Sequence, residues 1–498
     1  MWWQGTHLLA IITTLGALAG GLRIATLDHP WVMRMGILLP QGDMHSDHIL
    51  WGALALSAAL SLGLLGRRPS DAWDKALFWL GMISIGAGAV SGGLLYYVGD
   101  RAGIAPVHFT LAIGTLLYLV LHLFRQGITR LPGRILTALH APSRPTRTEM
   151  IALGIPAGLF VLFWWGIGPD RPQRLPVAML PKNTRITIDG LANETAWQQA
   201  PRQTIHAYGG ANFFGGATTF TVRALRDRHN IYFFITWRDP TQSLLHLPLV
   251  KGPDGWKVKE NGFYRYDEVQ YYEDKLAILL SNDCTMGAGR SAHLGHRPLS
   301  DRPANWHHRG YHYTTDGTIR DLWQWKAVRS DPMQIADDDF FGAPAAVLSG
   351  QRRYKAGYIA DGKDSGGISM NWQWYAPHGI TPKKLPDDTD RTTISPTEAV
   401  PWYAFVRYTR DRDTYREGAM LPSVLLKANT IEGDQADVGA RGVWRDGWWH
   451  LELVRALDTH SPNDLPIRPG ICLWVSAFDH AQVRHTRHAR PLQLIYSE

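Results

Sequence analysis

Five apolar stretches crowd into the first 170 positions, and each is long enough to cross a hydrocarbon core of roughly 30 Å. They run approximately from His7 to Leu27, His48 to Gly66, Ala76 to Val98, Pro106 to Phe124 and Glu149 to Gly168, and each is closed by Arg, Asp, Pro or Gly. Arg23 lies near the end of the first and must reach for the interface. The chain has 498 residues, 45% hydrophobic and 19% charged. At about 100 to 200 residues per domain this predicts two to four units, and the apolar spans divide the sequence into unlike halves. The fold expected is an all-α transmembrane helical bundle of about five spans, followed by an all-β sandwich.

Orientation follows from Lys and Arg, which cytoplasmic loops retain during insertion. The segment from Arg125 to Arg147 carries Arg125, Arg130, Arg134, Arg144 and Arg147 with no acid, and Gly66 to Lys75 carries Arg67, Arg68 and Lys75. Both are assigned to the cytoplasm. The segment after the first span has Asp28, Asp43 and Asp47 against Arg34, so it faces the other side. This puts the N-terminus in the cytoplasm and everything after Pro169 outside, in the periplasm of a Gram-negative inner membrane. The first span is read as an uncleaved anchor, because it lacks a basic n-region and a small-residue cleavage site before Asp28.

Ionisable side chains inside a span are costly and point to function. His108 and His122 both lie in the fourth span, fourteen residues apart. That is about 21 Å along the axis and nearly four whole turns, so they share a face at opposite depths. His7 opens the first span and His48 the second, with His45 one turn earlier. By depth, His7 pairs with His122 and His48 with His108. Two such pairs are what two bis-histidine haems b need. Gly16, Gly20, Gly21, Gly86, Gly88, Gly92 and Gly93 either let helices approach or leave room for a porphyrin face. The competing reading makes His7 and His45 interfacial residues and the glycines mere packing.

With His7, LLPQGDMHSDHILWG around His48, SGGLLYYVG closing the third span and His108-x13-His122, the first 125 residues resemble the small bacterial di-haem cytochromes b that act as quinol-linked membrane anchors. The resemblance implies two haems b and electron exchange with the quinone pool. Between His45 and His48, the deeper His48 is favoured as ligand. The domains expected are 1–125 for this four-helix part, 126–174 for a cytoplasmic loop and fifth helix, and 175–498 for the outer domain.

From Leu175 onward, short alternating runs are bounded by Gly, Pro, Asn and Asp, the pattern of strands. RITIDG, FTVRALRD, NIYFFITWRD, DKLAILLSND, WYAFVRYTR, GWWHLELVRAL, ICLWVSAFD and PLQLIY are the clearest, with RDRHN and WRDGW as hairpin turns. So many short strands favour a β-sandwich. Ala288 to Asp316 and Ser365 to Glu398 read as long loops. Asp337 to Asp339 reads as a solvated loop. Trp recurs at Trp323 to Lys326, Asn371 to Tyr375 and Gly447 to His450, either as core or as walls for a flat cofactor or a sugar.

ITIDGLANETAWQQA, RALRDRHNIYFFITWRDPT, YEDKLAILLSND, IRDLWQWKAVRSDP and SAFDHAQVRHTRHARPLQL together resemble the haem-binding domain of the ethylbenzene dehydrogenase family, over nearly all of 180–498. The resemblance implies a noncovalent haem b in the sandwich, typically held by Met and Lys. The sequence departs from that pattern, with His312 in GYHYTTDG and His488 in TRHARPL near the expected places. A His/His pair would hold iron at a lower potential than a thioether does. Met286, His293, His296 and Lys326 are the reserve ligands.

Composition excludes other classes. Cys284 and Cys472 cannot build a disulfide framework or a four-thiolate metal site, and no C-x-x-C-H attaches a c-type haem. The net charge of +7 is not gathered into basic runs interleaved with the 21 Trp, so nucleic acid is set aside. No nucleophile elbow, P-loop, Rossmann fingerprint or H-E-x-x-H is present. The function expected is a b-type cytochrome carrying electrons between quinone or quinol and a periplasmic cytochrome or oxidoreductase subunit. The alternative is a membrane-tethered carbohydrate-binding sandwich without a redox role.

Overall fold

The computed structural model describes residues 2–25, 29–33, 35, 38–40, 44–65, 71–98, 103–126, 145–167, 171–285, 292–295, 311–347, 354, 356–360, 367–376, 379–386, 399–401, 405–427 and 433–497. The chain forms two compact units, one built on Met1–Arg171 and the other on Pro172–Cys284 and Ser291–Glu498.

Among the described residues, the first unit contains five helices long and apolar enough to cross a membrane, which makes the chain a multi-pass membrane protein. They are α1 (Trp2–Ala25), α2 (Met44–Leu64), α3 (Ala72–Val98), α4 (Ile104–Gln126) and α5 (Arg147–Ile167). Their ends have local causes. Thr146 and Glu149 form a reciprocal capping box at the start of α5, with Thr146 N donating to Glu149 Oε2 at 2.9 Å and Glu149 N to Thr146 Oγ1 at 3.2 Å. Asp71 caps α3 by accepting from Asp74 N at 2.8 Å. Arg125 at the end of α4 pairs with Asp71 at 2.9 Å and Asp74 at 3.2 Å, which ties α4 to the start of α3. In α1, glycine lets a neighbour approach: a Cβ on Gly16 would stand 2.6 Å from the Trp51 ring of α2.

The second unit is a closed sandwich. Its main strands are β1 (Gln173–Met179), β2 (Arg202–Tyr208), β3 (Ala217–Arg226), β4 (Asn230–Arg238), β5 (Lys275–Ser281), β6 (Arg320–Lys326), β7 (Ile335–Phe341), β8 (Val438–Arg445), β9 (Trp448–Ala456), β10 (Cys472–Phe478) and β11 (Leu492–Tyr496). They follow one another as β1-β11-β10-β5-β6-β7-β8-β9-β4-β3, and β1 pairs again with β3, closing a ring of ten strands. β1 runs parallel to both neighbours: Gln173 to Val177 lie beside Leu492 to Tyr496, and Val177 to Met179 beside Ala224 to Arg226. The other ladders of the ring are antiparallel. Alternation along β3 and β4 sends Phe220, Val222, Ala224, Ile231, Phe233, Ile235 and Trp237 inward, where each is at most 1% exposed.

Several expectations are corrected here. RITIDG forms no ladder; its turn docks on β9, with Gly190 N and Asp189 N donating to Glu452 Oε2 at 2.7 and 3.1 Å, and Trp197 Nε1 to Oε1 at 2.7 Å. The D-G…W pattern is therefore a clasp around one buried carboxylate. Asp337 to Asp339 are not in a solvated loop but inside β7, with Asp338 fully buried. Part of the stretch expected as a loop from Ser365 to Glu398 forms short strands at Ile368–Met370, Trp372–Ala376, Gly379–Pro382 and Lys384–Pro386. WRDGW is the expected two-residue turn, with Asp446 and Gly447 both at positive φ (53° and 79°).

Cys284 and Cys472 form a disulfide across 188 positions, a cross-link that their spacing alone does not suggest.

Candidate functional site

The histidines of the spans meet in the two pairs expected from depth. His48 of α2 faces His108 of α4 with ring centroids 5.9 Å apart, and His7 of α1 faces His122 of α4 at 5.3 Å. Within each pair the ring planes are steeply inclined, at 82° and 68°. His7 also stacks on Trp3 at 4.9 Å, one turn earlier in α1.

Hydrogen bonding sets the tautomers of the first pair. Nδ1 of His48 lies 2.8 Å from the Ala17 carbonyl, which can only accept, so Nδ1 carries the proton. Ser91 Oγ spends its own proton on the carbonyls of Ala87 and Gly88, at 2.8 and 3.1 Å. It therefore accepts from Nδ1 of His108 at 2.8 Å. Each ring keeps its lone pair on Nε2. A metal-ligating histidine needs this arrangement, with one nitrogen held by an oxygen and the other presented.

Glycines give these rings their room. A Cβ on Gly21 would stand 3.0 Å from Cε1 of His48, one on Gly20 would stand 3.2 Å from its Cβ, and one on Gly92 would stand 3.2 Å from Cε1 of His108. At Gly86, Gly88 and Gly93 a Cβ would meet nothing within 4 Å. The donor set and the cradle fit a bis-histidine haem b. His45 lies one turn before His48 on α2, at the helix start. Ser91 and Ala17 do not stand out in the sequence, although Ser91 opens the SGGLLYYVG segment.

The outer domain treats its candidates differently. His488 is 7% exposed, and both its nitrogens are used: Nε2 accepts from Val475 N at 2.9 Å and Nδ1 donates to the Arg490 carbonyl at 2.8 Å. Burial pushes its pKa down to about 4, so it stays neutral. In this geometry it has no lone pair for iron and does not fit the ligand role expected of it. His312 sits on the strand Tyr311–Thr314, with its ring centroid 6.1 Å from Phe341 and 6.3 Å from Tyr358. Lys326, at the end of β6, is paired with Asp337 of β7. His293 lies on the strand Ala292–Gly295, its side chain outside the described residues, as are Met286 and His296.

The sequence pattern of the ethylbenzene dehydrogenase family matches residues 194–490. The chain belongs to the ethylbenzene dehydrogenase family. No curated protein matches it. Among solved structures, it is similar to a carbohydrate-binding module of family 9 from Caldicellulosiruptor kristjanssonii in complex with glucose. The two share 9% identity over 65% of this chain and 96% of that one, with a TM-score of 0.25. A putative carbohydrate-binding protein from Bacteroides uniformis shares 7% identity over 66% of this chain and all of its own, with a TM-score of 0.26. Likenesses this slight have no bearing on what the chain binds.

Within the ethylbenzene dehydrogenase-family domain, the tryptophans of the W-Q-W-K run are core. Trp323 and Trp325 are each 1% exposed, and Trp325 meets Trp449 edge-on at 4.9 Å. Charges are buried beside them. Arg455 of β9 reaches Asp464 at 2.6 Å, Asp321 at 3.1 Å and Asp338 at 3.8 Å. Burial raises the Asp321 carboxyl to about 6, against the pull of Arg455. Burial also opposes the charge on Glu273, but Arg329 beside it holds that carboxyl well below the usual range.

Proposed function

We propose that this protein is a membrane-anchored b-type cytochrome that carries electrons between the quinone pool and a periplasmic cytochrome or oxidoreductase subunit, with haem b at His48/His108 and at His7/His122. One observation carries the reading: in the His48/His108 pair each Nδ1 is held by an oxygen, which leaves Nε2 as the donor nitrogen on both rings. A bound bis-histidine haem b supplies reversible one-electron chemistry at iron, with no substrate bond made or broken.

The chain's own residues hold and orient. The Ala17 carbonyl and the Ser91 hydroxyl fix the rotation and the tautomer of both imidazoles. Gly20, Gly21 and Gly92 let the rings lie against helix backbone. Membership of the ethylbenzene dehydrogenase family supports a redox association for the outer domain. No electron step is assigned to His488, whose nitrogens are both occupied by backbone groups.

The Arg-rich segment 125–147 supports a cytoplasmic N-terminus and an outer domain in the periplasm. The Cys284–Cys472 disulfide supports the same placement, because such bonds persist in oxidising compartments.

The test is haem quantitation on the purified full-length protein by pyridine haemochrome, with a dithionite-reduced spectrum. Two membrane haems are expected, and His108→Ala and His122→Ala should each remove one. A spectrum without reduced b-type bands overturns the reading.

A further inference from the structure

A cleft of about 520 Å³ opens on the short strands outside the ten-strand ring, and among the described residues Ser369, Lys383, Lys384, Arg407, Leu425 and Lys427 line it. Two ladders build its walls. In one, Ser369 lies opposite Leu425. The Lys427 backbone N donates to the Gly367 carbonyl at 2.7 Å, so Lys427 continues that ladder and emerges on the same face as Leu425, two positions earlier. In the other, Lys384 is the register partner of Arg407, which puts both cationic side chains on one face. The buried Asn371 latches the two ladders together. Its Nδ2 donates to the carbonyls of Lys384 and Pro422 at 3.2 Å each, and its Oδ1 accepts from Lys384 N at 2.9 Å.

Four cations around one cleft work against the fold. Like charges directly opposite on neighbouring strands repel, and partial burial together with the Lys427 ammonium pushes the Lys383 pKa below its usual value. Elsewhere in the domain cations have carboxylates beside them: Lys251 has Asp413, Arg441 has Asp331 and Arg484 has Asp267. Among the described residues, no carboxylate pairs with Lys383, Arg407 or Lys427. All three are exposed, so an anion reaches them from solvent. Positive charge that the chain leaves unbalanced on a concave surface is the pattern of an anion site.

We propose that this cleft binds a phosphate group, carried by a small phosphorylated molecule or by a lipid headgroup, with Lys383, Arg407 and Lys427 supplying the charge and Ser369 a hydroxyl donor. The volume is that of a small-molecule site, about 300 to 1,000 Å³. A guanidinium fork offers paired N–H groups to two phosphate oxygens, while an ammonium acts as a point charge that a third oxygen can meet. A phosphate carries up to about two negative charges on one centre, so it offsets more of this cluster than a single carboxylate does. Lys384 spends part of its ammonium on the Phe405 carbonyl, at 3.1 Å, and adds charge more than direct donors.

The experiment uses the full-length protein in detergent and phosphate-free buffer with about 0.1 M sodium chloride to screen loose attraction. Sodium pyrophosphate, glycerol phosphate and dihexanoyl phosphatidylglycerol are titrated in turn by calorimetry. One saturable site per chain is expected. Arg407→Gln and Lys427→Gln should each weaken it about tenfold, while Lys182→Gln, at an exposed lysine outside the cleft, should leave it unchanged. Tighter binding of pyrophosphate and glycerol phosphate than of the lipid assigns the site to soluble ligands, the reverse assigns it to a headgroup, and either supports it. Arg407→Gln should melt no lower than the parent in phosphate-free buffer, since it removes a charge opposite Lys384, so its weaker binding is not loss of fold. The proposal fails if none of these ligands binds at millimolar concentration, or if Arg407→Gln and Lys427→Gln bind as the parent does. It also fails if Lys182→Gln weakens binding equally, which would make the attraction one of net charge alone.

Discussion

Nδ1 of His108 on α4 donates to Ser91 Oγ on α3 at 2.8 Å, so one helix decides which nitrogen of a histidine on its neighbour is free to bind. Ser91→Ala should leave the helices intact and let the ring rotate. Loss of an outer partner of this kind typically weakens metal binding about 10- to 100-fold. Haem titration of the stripped protein, followed by the Soret band, should show that loss at one of two sites. Unchanged affinity at both would remove Ser91 from the ligand-orienting role.

Gly21→Ala tests the cradle on α1. The new methyl would press on Cε1 of His48 at 3.0 Å and Nδ1 at 3.3 Å, closer than nearly all such contacts. We expect retention of the haem at His7/His122 and loss of the one at His48/His108, read as a fall from two haems to one per chain. Gly5→Ala, with nothing within 4 Å of the added carbon, is the control and should keep both.

The outer domain should lose stability in mild acid. His488 titrates near 4 when folded and near 6.5 when unfolded, so between these values the unfolded chain binds more protons. Stability from this group is therefore complete above pH 6.5 and is lost as the pH falls toward 4, by on the order of 3 kcal/mol. His485, also pushed to about 4 by burial, adds to the same slope. Urea unfolding followed by tryptophan fluorescence at pH 4.5, 5.5 and 7 would measure it, and His488→Gln should flatten the dependence.

Arg455→Met should be among the most damaging substitutions in the sandwich, although it adds no bulk. It would strand Asp321, Asp338 and Asp464 without their cation, and breaking a buried ion pair costs about 3 to 5 kcal/mol. The same urea measurement at pH 7 is sufficient. A loss below about 1 kcal/mol would show that these carboxyls are already neutral.

Replacing Cys284 and Cys472 together by alanine should lower stability by about 2 to 5 kcal/mol, because the bond closes a loop across 188 positions. Reducing agent should destabilise the parent and leave the double variant unchanged.

What the sequence reveals depends on which physical signal is local. Hydropathy marks a span within its own twenty residues, and the depth of His7, His48, His108 and His122 follows from helix rise alone, so the pairs are legible. β3 and β4 alternate cleanly and are legible too. β7 is not, since Asp337, Asp338 and Asp339 look solvated until Lys326 pairs with the first, Arg455 reaches the second, and Gln324 and Tyr358 donate to the third. RITIDG alternates like a strand, but the acceptor that draws its turn, Glu452, lies more than 250 positions away. The surroundings of His488 are hidden for a similar reason: its spacing gives no sign that Val475 and Arg490 occupy both nitrogens.

The seam at β1 has a kinetic side. Gln173 and Leu492 are register partners, so the ring shuts only when segments over three hundred positions apart find each other. Until that meeting, β1 and β11 each lack a partner along this seam, since β3 is already paired with β2 from Ala217 to Arg223, and separations this long make closure slow. A cell making this protein must shelter two sticky strands through the wait, and crowding, not final stability, would limit its yield.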